Sequence, residues 1–203
     1  MRTKENRDWT GNKSANYATL GASNHSSKER VSHDFYATPP SAVEDLLNVE
    51  TFSPNIWECA CGMGHIADVL KAHGYTLKCS DIIDRGYAGT ELIDFLNTEI
   101  KFDGDIITNP PYAYGKEFVL KALDSIPEGH KVAMFLKIQF LESKTRYLEL
   151  LKDYPPIMVY VFARRRKCGP NGDFDSNDSS NMLFTWIIWE KGNYGHTELK
   201  WIY

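Results

Sequence analysis

The sequence predicts an α/β fold built on a mostly parallel sheet. Short runs rich in β-branched and aromatic residues alternate with helical patterns through most of the chain. A glycine turn sits between one of these strands and the helix that follows it. The chain has 203 residues, 42% of them hydrophobic and 13% aromatic, which suits one domain with a sizeable core.

The elements follow in order. "TPPSAVEDLLNV" reads as a helix entered through prolines, with Val43, Leu46 and Leu47 on one face. "NIWECA" is a short buried strand. "GMGHIADVLKAHG" is a glycine turn, a helix and a glycine stop. "TLKCSD" is a second strand and "DIITNPP" holds a third, followed by a helix over about 116–123. "KVAMFL" is a strand, and "FLESKTRYLELLKDY" a helix ended by Pro155 and Pro156. "IMVYVFA" and "MLFTWIIWE" are late strands. The polar stretch at 164–182 between them is a long loop, and loops of that length are usually functional or mobile. Residues 1–33 are polar and basic and read as an arm preceding a single domain over 34–203.

Net charge is −4, which argues against nucleic-acid binding by the whole surface but leaves room for a local basic cleft. No apolar run is long enough to span a bilayer and no signal-peptide core is present, so a cytoplasmic protein is expected. Cys59, Cys61, Cys79 and Cys168 lack metal-ligand spacing and read as small buried residues; no metal is expected.

Two stretches carry chemistry. In "WECACGMGH", Gly62 and Gly64 let the backbone turn sharply and let a ligand approach, and Glu58 ends the strand. The spacing is not that of a dinucleotide fingerprint. A carboxylate at that point suits a ligand bearing an ammonium group. The next strand ends in Asp81, an acid able to accept both hydroxyls of a ribose. "IDFL" adds Asp94, an acceptor for an adenine amine, and Phe95, an apolar edge.

In "DIITNPPYAYG", the consecutive prolines Pro110 and Pro111 remove two N–H donors. The carbonyls before and between them stay free to accept. Asn109 adds a side-chain carbonyl. Two close acceptors match an amine with two protons, and Tyr112 offers a flat face for a planar ring. Such a holder would gather the nitrogen lone pair toward an electrophile, so its chemistry would be largely positioning.

Together these residues resemble the S-adenosylmethionine-dependent DNA adenine-N6 methyltransferases, above all the small enzymes encoded by phages and prophages. "NPPY" looks like their catalytic motif, "ECACGMG" like their cofactor motif, and "DFYATPP" is similar to the segment before it. "TLGASNHS" resembles the leader of such phage proteins. The likeness runs over about 34–191. It implies the class I methyltransferase (Rossmann-like) fold: about seven strands, one late strand antiparallel, helices on both faces. It implies that Asn109, Pro110, Pro111 and Tyr112 are catalytic. It implies a cofactor site at Tyr36, Thr38, Pro39, Glu58, Cys59, Ala60, Gly62, Gly64, Asp81, Ile82, Asp94, Phe95 and Asn109. The partner would be duplex DNA with the target adenine flipped out, in a bacterial or phage-infected cell.

The spacing from Gly64 to Asn109 leaves no room for a target-recognition domain and none follows before Tyr203, so relaxed or short-site specificity is expected. Arg164, Arg165, Arg166 and Lys167 open the long loop and suit phosphate contacts. Otherwise DNA reading falls to the N-terminal arm, a homodimer copy or a partner subunit. The Asn-Pro-Pro-Tyr clamp also serves RNA adenine and protein-glutamine methyltransferases, and a catalytically idle nucleic-acid-binding module on the same fold is the contrasting reading. Trp186 and Trp189 read as core or pocket wall rather than base-stacking platforms.

Overall fold

The computed structural model describes residues 36–164, 166, 169–170 and 182–203. The expected arm at 1–33 and most of the loop at 164–182 lie outside the described residues.

In chain order the elements are β1 (Tyr36–Ala37), α1 (Pro40–Leu47), β2 (Asn55–Glu58), α2 (His65–Ala72), β3 (Thr76–Asp81), β4 (Glu91–Leu92), β5 (Asp105–Thr108), α3 (Gly115–Ser125) and β6 (Lys131–Lys137). Then come α4 (Lys144–Arg146), which passes into a π-helical turn (Tyr147–Leu151), β7 (Met158–Phe162), β8 (Gly169–Pro170), β9 (Phe184–Glu190) and β10 (Glu198–Ile202).

Eight of the described strands form one sheet in the order β10-β7-β9-β6-β5-β2-β3-β4. Every pairing is parallel except those of β9, which runs antiparallel to both β6 and β7. This is the class I methyltransferase arrangement that the resemblance implied, with β10 added as an edge. A separate ribbon pairs β1 with β8, Tyr36 opposite Pro170.

The central strands are buried on both faces, so successive residues feed opposite cores. Ile56, Ile107, Phe135, Trp186 and Ile188 pack with α1 and α2 through Val43, Leu46, Ile66 and Leu70. Trp57, Ile106, Met134, Ile187 and Trp189 pack with Phe118, Val119 and Leu123 of α3. Trp186 and Trp189 are fully buried core residues, each donating its indole N–H, to the Ala42 carbonyl at 2.7 Å and to the Tyr154 carbonyl at 3.1 Å.

The helix expected over 140–154 is broken into a 3-10 turn, α4 and the π turn. Ser143 caps α4 by accepting from the Arg146 N–H. The Arg146 guanidinium then binds the carbonyls of Gln139, Phe140 and Glu142, acceptors that a continuous helix would have used itself. Among the described residues no helix is long and apolar enough to cross a membrane.

A candidate active site at the carboxyl ends of the central strands

β3, β2 and β5 are neighbours and parallel, so their carboxyl ends line up side by side. Ligands in open α/β sheets bind at this edge. A cavity of about 590 Å³ opens there, the size of a small-molecule site. Glu58, Cys59 and Ala60 from the end of β2 line it, with Asp81 and Ile82 from the end of β3. Tyr36 and Thr38 close one side, and Asp94 and Phe95 another. Asn109, Pro110, Pro111 and Tyr112 enter from the end of β5. Thus the two motifs, far apart in sequence, share one cavity.

Three expected residues act from behind the wall. Pro39 precedes α1 and its carbonyl accepts from the Ala42 N–H at 2.8 Å. Gly62 and Gly64 shape the turn after β2, with φ of 57° and 82°. A Cβ on Gly64 would lie 2.1 Å from the Tyr87 ring, whose hydroxyl donates to Asp68 at 2.9 Å. Left-handed backbone and close packing both demand glycine here.

Glu58 is 1% exposed. One side of its carboxyl accepts from the Ala67 N–H, while Oε2 is a buried acceptor with no partner. Burial pushes this carboxyl well above its ordinary range, the Ala67 N–H opposes that, and the charges of Asp81 and Asp68 add to it. Burial also holds the thiols up, Cys61 to about 11 and Cys59 well above the ordinary value, so both stay protonated at neutral pH and neither is a nucleophile.

Asp81 and Asp94 carry structural duties that the sequence did not reveal. The Gly62 N–H donates to Asp81 Oδ2 at 2.8 Å and the Ile83 N–H to Oδ1 at 3.0 Å, so Asp81 ties the glycine turn to β3. Asp94 caps a 3-10 turn, accepting from the Leu96 N–H and from Asn97 Nδ2. Phe95 is buried edge-on against Trp57 at 5.2 Å.

Asn109 is oriented by a long-range contact. Its Nδ2 donates to the Tyr36 carbonyl at 2.7 Å, which leaves Oδ1 as a second buried acceptor without a partner. The Pro111 carbonyl is taken by the Tyr114 N–H at 2.9 Å. The Tyr112 ring stacks on Tyr36 at 5.9 Å and leans on Phe184 at 5.9 Å, with the Lys137 ammonium 4.7 Å from its centroid.

Of the basic residues expected to meet phosphate, Arg164 is exposed. Arg166 is half-buried, and its Nε donates to Asp45 of α1 at 2.7 Å, so its charge is already matched. Arg165 and Lys167 lie outside the described residues. Sequence reasoning missed Tyr114, His65 and Arg85 in the cavity wall, Tyr87 behind Gly64, and Lys137 on Tyr112. Tyr114 had a signal, an exposed aromatic two places after Tyr112; the others had none.

No protein-family model matches the sequence, and no curated protein matches it. Solved structures do share its fold. A protein from Pyrococcus horikoshii assigned as an RNA methyltransferase aligns at TM-score 0.55 and 14% identity, over 89% of this chain and 99% of that one. A modification subunit assigned to a type I restriction enzyme of Vibrio vulnificus aligns at TM-score 0.60 and 13% identity, over 84% of this chain; the chain spans 47% of that subunit. A protein from Listeria monocytogenes assigned as a class I S-adenosylmethionine-dependent methyltransferase aligns at TM-score 0.57 and 12% identity, over 92% of this chain and 71% of that one.

Proposed function

We propose that this protein transfers a methyl group from S-adenosylmethionine to the N6 amine of adenine in DNA. The observation that carries the reading is Asn109 Oδ1, a buried acceptor without a partner, beside Tyr112 and in the same cavity as Glu58. A buried polar atom left unsatisfied costs stability, about 1–3 kcal/mol, and so calls for an explanation. A bound ligand supplies one at both ends of the site.

The donor set fits the cofactor. Glu58 Oε2 would take the ammonium of its amino-acid end, the glycine turn would let that end approach the backbone, and Asp81 would accept from the ribose. Asp94 and Phe95 flank the adenine. Bound there, S-adenosylmethionine supplies an electrophilic methyl group on a sulfonium. Asn109 Oδ1 accepts one proton of the target amine. The Pro111 carbonyl is already used, and the second acceptor is one of the carbonyls before and between the two prolines. These two hold the nitrogen lone pair toward the methyl carbon. The residues would thus only position the amine, and the proton it gives up on methylation would pass to water. Tyr112 holds the base by its face. In a duplex the adenine must first leave the stack, at a cost of a few kcal/mol.

The same clamp fits an adenine in RNA, and an RNA methyltransferase stands among the fold neighbours. The deciding experiment incubates the protein with methyl-labelled cofactor and, separately, unmethylated duplex DNA, single-stranded DNA, structured RNA and a protein extract. The products are digested and read by mass spectrometry. N6-methyladenine in DNA is the expected product; label only in RNA or in protein glutamine moves the substrate, and no label with any of them overturns the reading. Asn109→Ala should cut the rate on the order of 10²–10³-fold while cofactor affinity is kept. Strong residual turnover in that variant would sink the clamp assignment.

A further inference from the structure

We infer that Lys137 is a phosphate contact for the nucleic-acid substrate, set beside the base clamp; this rests on the methyltransferase reading above. Five cations among the described residues lie over aromatic rings. Lys78 sits 5.5 Å from the Trp57 ring, and its ammonium is paired with Glu91 at 2.6 Å. Lys131 lies over Phe52 and is paired with Glu50 at 2.6 Å. Arg166 lies over Phe162 and is paired with Asp45. Arg146 lies over Phe140, its guanidinium bound to three carbonyls. Lys137 makes the shortest of these ring contacts, 4.7 Å from Tyr112. Yet among the described residues it alone of the five has no carboxylate or carbonyl partner.

Its position gives that difference a meaning. Lys137 is the last residue of β6, next in the sheet to β5, whose carboxyl end leads into Asn109. The register opposite Phe184 and the Ile138 N–H donated to the Leu183 carbonyl at 2.9 Å fix its backbone there. So the ammonium stands over the ring assigned to hold the base, half-buried, on the edge of the sheet where the cavity opens. A protein of net charge −4 has carboxylates to spare, and it matched its other ring-bound lysines with them. A cation beside a base site, held in place by a ring face and with no anion among the described residues, is arranged to meet one brought by the ligand. On a polynucleotide that anion is a backbone phosphate next to the target base. Lys137 is thus a positioning residue: it fixes the strand, and Asn109 then meets the amine.

The test measures binding of a fluorescein-labelled DNA duplex by anisotropy over about 50–200 mM KCl. Wild type is compared with Lys137→Met, which keeps the apolar stem, and with Lys137→Arg. S-adenosylhomocysteine binding is measured by calorimetry on all three. Lys137→Met should weaken duplex binding by about three- to tenfold and lower the slope of log K against log salt by about one. Lys137→Arg should restore both, and S-adenosylhomocysteine affinity should not change. An unchanged slope in Lys137→Met overturns the phosphate contact and leaves the methyltransferase reading standing. Loss of S-adenosylhomocysteine affinity in Lys137→Met also overturns it, because the lysine would then be supporting the cavity. A wild-type protein that binds S-adenosylhomocysteine but neither binds nor methylates any nucleic acid overturns the substrate reading and the phosphate contact together.

Discussion

Two buried carboxylates on adjacent strands have opposite surroundings. Asp105 opens β5 and pairs with Ile56 of β2; Glu58 closes β2 two register positions further on. Asp105 is 3% exposed and fully engaged. It accepts from the Ser53 N–H at 2.6 Å, from the Lys131 N–H at 2.8 Å and from His130 Nδ1 at 2.9 Å. Glu58 is equally buried, yet Oε2 has no partner and the nearby charges are those of Asp81 and Asp68. The first carboxylate closes the amino end of the sheet from within. The second is costly in the free protein, and under the proposed function its partner is the ammonium of the cofactor. Satisfaction of hydrogen bonds, more than burial or residue type, separates the scaffold from the site.

The sharpest way to break this contrast is Asp105→Asn. It keeps the shape but replaces one acceptor oxygen by an NH2 group that faces at least one of the three donors, and should cost about 3 kcal/mol in urea unfolding while cofactor affinity stays unchanged. A loss of cofactor affinity instead would merge the two regions. Gly64→Ala comes next. Left-handed backbone and the collision with Tyr87 should cost about 2 kcal/mol in the same assay. Adding Tyr87→Ala should recover part of it, and a strictly additive pair would mean the ring is not the obstacle.

Glu58→Gln has the smallest effect on stability and the opposite sign. Burial raises this carboxyl above 4.5, so the folded state keeps a proton that the unfolded chain releases. Glu58 therefore favours folding below that pH, and its contribution is lost as pH climbs from about 4.5 toward the folded value. The Gln variant should match wild type in acid and gain about 1 kcal/mol at neutral pH, read as a higher melting temperature. Its cofactor affinity should fall on the order of 10–100-fold at the same time. A variant that is less stable at neutral pH would show that Glu58 belongs with Asp105.

Much of the fold was legible because it rests on local signals. Glycine and proline mark the turns, and unbroken apolar runs mark strands covered on both faces. β10 was not read from the sequence: it is a five-residue edge strand whose apolar Leu199 and Trp201 stay exposed, so burial does not mark it as part of the sheet. The broken helix before β7 was hidden for another reason, because a side chain, Arg146, competes for the carbonyls that would have continued it.

By itself the sequence determined the strand–helix alternation, the glycine turn after Glu58 and the rigid, donor-poor Asn-Pro-Pro-Tyr segment. Each depends on the backbone preferences of a few consecutive residues, which neighbours in the chain suffice to set. Tertiary structure alone decided which polar atoms are left over. Asn109 is oriented by a carbonyl 73 residues away, and Arg166 is neutralised by an acid 121 residues away. Lys137 reaches Tyr112 only because β6 lies beside β5. Whether a charge is free or matched depends on what the fold brings within a few ångströms of it, and that is a property of the packed chain rather than of any segment of it.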